Sequence, residues 1–152
     1  MSRSPLVNNI RFWQTWLFCA LVFQALFGVI LAILGPSIAL PGFYKFYQSS
    51  FGTGPELNPA FQNWVFGMLG ATIASWATTL AFIVQYAFAR KEKWAWWAIL
   101  VSLVIWFPID TGISAFSGVW PNVIFNLVAL SMVLVPLIST RSVFFTISEN
   151  KF

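Results

Sequence analysis

The chain has 152 residues, 59% of them apolar and 8% charged, with a mean hydropathy of +0.81. Soluble domains carry about a quarter charged residues, so this composition excludes an aqueous globular surface and predicts an all-α integral membrane protein. The formal charge of +4 does not point to nucleic acid, because the basic residues are scattered beside apolar blocks.

The first apolar block, "FWQTWLFCALVFQALFGVILAILG", covers about 12–35 and ends at Pro36. It exceeds the roughly 20 helical residues that cross a bilayer core. Arg3 and Arg11 precede it and "SIA" follows it, as in a signal peptide, but the run is longer than a signal core and reads as a true span. Cys19 lies inside the block, is the only cysteine, and reads as a small hydrophobe. Ala20, Gln24, Gly28 and Ala32 form one stripe at helical spacing.

The loop from Pro36 to Ala60 contains "GFYKFYQSSFG". On a helix Phe43, Phe46, Tyr47 and Phe51 share one side, which predicts a short helix lying on the membrane surface. Its role is a lipid anchor, with a lid over an outer site as the competing reading. The second span covers about 61–89. Gly67, Ala71 and Ser75, beside Gly70, Ala74 and Thr78, give it a broad small-residue face for a neighbouring helix. Gln24 and Ser75 both fall near mid-membrane, so a contact between them is expected, with Gln24 as a packing glutamine or a ligand donor.

"RKEK" at 90–93 joins the second span to the third, about 94–115, and a tight turn at Gly118 leads to the fourth, about 119–140. Four such segments in one domain predict a four-helix bundle. Arg3, Arg11, Arg90, Lys91, Lys93, Arg141 and Lys151 fall on one side, and only Lys45 on the other. The positive-inside rule then places both termini in the cytoplasm.

The last hairpin carries the only aspartate, Asp110. Folding about Gly118 brings Asp110 to the depth of Asn126 and Ser114 to the depth of Asn122, a two-rung polar ladder between the third and fourth helices. Phe107 then faces Ala129, and Leu103 faces Val133. Pro121 suits the first turn of its helix, whereas Pro108 deprives the Val104 carbonyl of a donor and predicts a kink or local unwinding. A central Asp costs about 2.5–3.5 kcal/mol on insertion scales, which polar partners and outer water offset. "DTG" at 110–112 matches an aspartic-protease signature, but those enzymes need two carboxylates, and an apolar helix is the wrong setting.

No histidine and no cysteine pair is present to serve as base, metal ligand or redox couple. Glu56, Glu92 and Glu149 fall in loops or the tail. Neither enzyme activity nor a cofactor is expected.

Four spans with cytoplasmic termini, a long first outer loop and a tight last hairpin resemble the small bacterial DoxX-like membrane proteins. The resemblance implies a multi-pass protein of the bacterial inner membrane. Small multidrug transporters also have four spans, but they place an essential Glu in the first helix, where this chain has Gln24. The function expected is non-enzymatic: binding a lipid or an apolar small molecule, or serving as an accessory subunit of a membrane complex. The candidate site comprises Asp110, Ser114, Asn122, Asn126, Gln24 and Ser75. Partners would be membrane lipids, an apolar ligand, and a second copy or a larger complex. The alternative is an oligomeric proton-coupled transporter using Asp110.

Overall fold

The computed structural model describes residues 5–51 and 58–145, with side chains from Ile10 onward. Arg3, Glu56, Glu149 and Lys151 lie outside the described residues. The chain forms α1 (Pro5–Leu34), α2 (Pro36–Ala39), α3 (Pro41–Phe51), α4 (Pro59–Ile83) with a π-helical end (Val84–Phe88), α5 (Lys93–Phe116) and α6 (Trp120–Phe145). There is no strand among the described residues. Four of these segments, α1, α4 with its π end, α5 and α6, are long and apolar enough to cross a membrane. α1 starts before Phe12 and α6 continues past Thr140, because backbone hydrogen bonding carries a helix on where hydrophobicity stops.

Local chemistry sets the ends. Gly35 closes α1 with a left-handed φ of 71°, and Pro36 then opens α2. At the start of α4, the Asn58 side chain accepts from the Ala60 amide at 2.8 Å and Pro59 occupies the first turn. α5 ends in a Schellman motif: Val119 N–H donates to Ser114 O, Gly118 N–H donates to Ala115 O, and Gly118 takes a φ of 73°. The turn after the π segment repeats this pattern, with Glu92 N–H donating to Ala87 O and Lys91 N–H to Phe88 O. There the left-handed position, φ 59°, is held by Lys91 rather than glycine. Pro108 is expected to kink or unwind its helix, yet α5 is α-helical through it. The irregular turn is the π segment, which ends the second span.

α1 packs between α4 and α6, α5 packs on α6, and α5 meets the second span at the π segment. Arg11, Arg90, Lys91, Lys93 and Arg141 therefore gather at one end of the bundle, while Lys45 on α3 lies at the other. Most of the core sits toward the basic end, where Leu17, Leu80, Val84, Phe88, Trp96 and Leu137 are buried together. Trp96 Nε1 donates to Leu137 O at 2.9 Å, and the Phe88 and Phe144 rings lie 4.6 Å apart. Leu103 and Val133, expected to face each other, belong to the same cluster.

The small-residue faces of α1 and α4 meet. A Cβ on Gly28 would lie 2.6 Å from Gly70 O and from Ala74 N; one on Gly70 would lie 2.5 Å from Gly28 O and 2.6 Å from Ala32 N. Only glycine permits that approach. Of the neighbouring stripe, Gly67 faces Ala32, while Ala71 and Ser75 are exposed, as is Thr78 at the end of the Gly70 stripe.

The α3 helix is present as expected, but its contact face differs. Tyr44, outside the expected stripe, donates from its hydroxyl to Oε1 of buried Gln62 at 2.9 Å. Tyr47 stands edge-on to Phe66 at 5.8 Å and adjoins Phe51 at 5.0 Å. A buried glutamine needs a partner, and this decides which side of α3 turns toward α4.

Candidate functional site

The α5–α6 hairpin brings a polar cluster together at the end away from the basic residues. Asn122 Nδ2 donates to Asp110 Oδ1 at 2.9 Å and to Ser114 Oγ at 2.7 Å, one N–H for each. The Ser114 hydroxyl has a single proton, which its shorter contact assigns to the Asp110 backbone carbonyl at 2.7 Å rather than to Oδ1 at 3.3 Å. Trp106 Nε1 donates to Asp110 Oδ2 at 3.0 Å. Both carboxylate oxygens thus accept a hydrogen bond, and the aspartate links α5 to α6 through one amide.

The Ser114–Asn122 rung is formed as expected, but the Asp110–Asn126 rung is not. Asn126, 2% exposed, donates instead to Thr111 Oγ1 at 3.2 Å. Counting residues from the turn gives depth, but it says nothing about rotation around the helix axis. At the level of Asn126, α5 presents Thr111, while Asp110 is turned to Asn122 and Trp106. Trp106 lies one helical turn before Asp110 and was legible by i, i+4 spacing. Its ring also packs on Trp76 of α4 at 5.7 Å.

Gln24 and Ser75 are not brought together. Gln24 is half-buried, Ser75 is exposed, and no hydrogen bond joins them among the described residues. The Ser75 carbonyl serves Thr79 Oγ1 within α4. The close approach of α1 and α4 runs through Gly28, Ala32, Gly70 and Ala74 and leaves Ser75 on the outer side of α4.

A second feature lies on the opposite flank of α6. An open apolar groove runs between α1 and α6 in two adjoining sections of ≈ 340 Å³ and ≈ 540 Å³ that share Phe12, Trp16 and Met132. Thr15, Cys19 and Phe23 line it from α1, and Leu127, Ser131 and Val135 from α6. Its wall is pinned by Trp16 Nε1, which donates to Met132 O at 3.0 Å. Met132 is four residues before Pro136, so its carbonyl has no amide donor in α6. The indole supplies the missing donor and fixes Trp16 across the seam. Pro136 in an apolar span was the sequence signal for this contact.

At the basic end, Arg90 Nε lies 2.6 Å from Glu92 Oε1, and Trp94 Nε1 donates to Glu92 Oε2. The Arg90 hydrogen bond, then that of Trp94, holds the Glu92 carboxyl below the usual glutamate range. Among the described residues no three His, Cys, Asp or Glu side chains are grouped to hold a metal. The chain has no match among family models, curated proteins or solved structures.

Proposed function

We propose that this is a non-enzymatic, multi-pass protein of the bacterial inner membrane that holds a lipid chain or another apolar small molecule in the α1–α6 groove. It acts alone or as an accessory subunit of a larger membrane complex. The basic end faces the cytoplasm, as the positive-inside rule requires, and α3 lies at the outer surface. The single observation that carries the binding role is the groove itself. It is an open groove on the lipid-facing surface, its lining is almost wholly apolar, and a tryptophan with a fixed indole forms part of its wall. The polar groups of α5–α6 are read as a structural clasp.

Thr15 is exposed in the groove, so Thr15→Trp should obstruct the groove without unfolding the bundle. Binding of a pyrene-labelled fatty acid to the full chain in detergent, followed by pyrene fluorescence anisotropy, should be saturable. It should weaken about tenfold or more in Thr15→Trp, equivalent to about 1.4 kcal/mol. Equal binding by the two proteins would refute the groove as the site.

The second reading, a proton-coupled transporter, draws on a lone carboxylate within an apolar span. It requires Asp110→Asn to abolish pH-dependent transport in vesicles. The clasp reading requires no such transport and a folded, stable Asp110→Asn protein.

A further inference from the structure

The α5–α6 seam at the basic end carries two cations, Lys93 and Arg141, that form no ion pair among the described residues. Lys93 opens α5 at the positive end of the helix dipole, directly after the N-cap residue Glu92. Its Nζ lies 5.9 Å from the Phe145 ring centroid, across the seam. Phe145 also meets Trp97 edge-on at 6.0 Å. Arg141 precedes Phe145 by one helical turn and shares its face of α6. Lys93, Arg141 and Trp97 are all exposed. The only carboxylate at this end among the described residues, Glu92, is engaged by Arg90 and Trp94. Neither Lys93 nor Arg141 has an ion-pair partner among the described residues.

We propose that Lys93 and Arg141 bind the phosphate of an anionic phospholipid headgroup across the α5–α6 seam, with Trp97 and Phe145 against the glycerol and upper acyl region. The proposal rests on the membrane placement given above but is independent of the α1–α6 groove. Charge complementarity selects the ligand: two cations on adjoining helices suit one phosphate, and the exposed Trp97 indole beside Phe145 suits the interfacial part of a lipid. A free phosphate offers the same anion without the apolar part, so the aromatic pair distinguishes the lipid from the ion.

Native mass spectrometry of the delipidated full chain in detergent tests this with three added probes: phosphatidylglycerol, phosphatidylcholine and inorganic phosphate. One phosphatidylglycerol adduct should form in preference to phosphatidylcholine, with no stable phosphate adduct. Lys93→Gln and Arg141→Gln should each weaken that adduct about fivefold, and the double variant more, while Lys93→Arg retains it. Lys91→Gly removes a cation at the same end but off the seam, relieves a left-handed backbone position, and should leave the adduct intact. Equal affinity for the two lipids overturns the proposal. So does a stable phosphate adduct, or a loss in Lys91→Gly as large as in Lys93→Gln. A failure of fatty-acid binding in Thr15→Trp bears on the groove alone and leaves these outcomes unchanged.

Discussion

The α1–α4 and α5–α6 seams hold antiparallel helices together by opposite means. Along α1–α4 the backbones themselves touch: Gly28 and Gly70 leave no space for a Cβ, so affinity comes from close packing and main-chain proximity. Along α5–α6 the backbones stand farther apart, and Asp110, Ser114, Asn122, Thr111 and Asn126 fill the gap with directed hydrogen bonds. The first seam depends on the absence of a side chain. The second depends on particular atoms at the tips of side chains. Tolerance to mutation should therefore differ in kind: volume governs one seam, and hydrogen-bonding capacity the other.

The largest effect is expected at Gly70→Leu, which must drive α1 and α4 apart. The loss should exceed the roughly 1–3 kcal/mol of ordinary overpacking, read as a large drop in melting temperature or failure to fold in detergent. Even Gly70→Ala should destabilise measurably, since its Cβ meets the Gly28 carbonyl at 2.5 Å. An unchanged melting temperature for both would mean the two backbones do not touch.

Next comes Asp110→Leu, which leaves Asn122 and Trp106 without their carboxylate acceptor. A loss of about 1–3 kcal/mol is expected from the unsatisfied donors. Asp110→Asn should be the mildest, because one amide oxygen still accepts from Asn122 or Trp106. Thermal melts of the two variants side by side check the order. A penalty for Asp110→Asn equal to that of Asp110→Leu would contradict the clasp and direct attention to the charge itself.

The two seams also differed in how far sequence alone revealed them. Small residues spaced by four identified the Gly70–Ala74 face and the Gly28–Ala32 stripe, but the same spacing also marked Ala71, Ser75 and Thr78, which are exposed. Gln24 and Ser75, judged by depth alone, were paired wrongly. The same limit applied at α5–α6, where depth gave the Ser114–Asn122 rung but rotation about the axis sent Asn126 to Thr111. The helix spans were legible from hydropathy, and the turn at Gly118 from its glycine. The π segment at Val84–Phe88 has no glycine or proline to announce it. The α1–α6 groove is a shape left between two helices, which no single residue encodes, although Pro136 marked the carbonyl that Trp16 caps.

Apolar ligands should concentrate in that groove rather than over the whole apolar surface. Photo-crosslinking of the reconstituted full chain with a fatty acid carrying a diazirine in its chain, followed by peptide mapping, tests it most directly. Adducts should concentrate on Phe12–Phe23 of α1 and Leu127–Val135 of α6 and be suppressed in Thr15→Trp. Adducts spread evenly onto exposed apolar positions elsewhere, such as Leu26, Ile109 and Ile113, would contradict it.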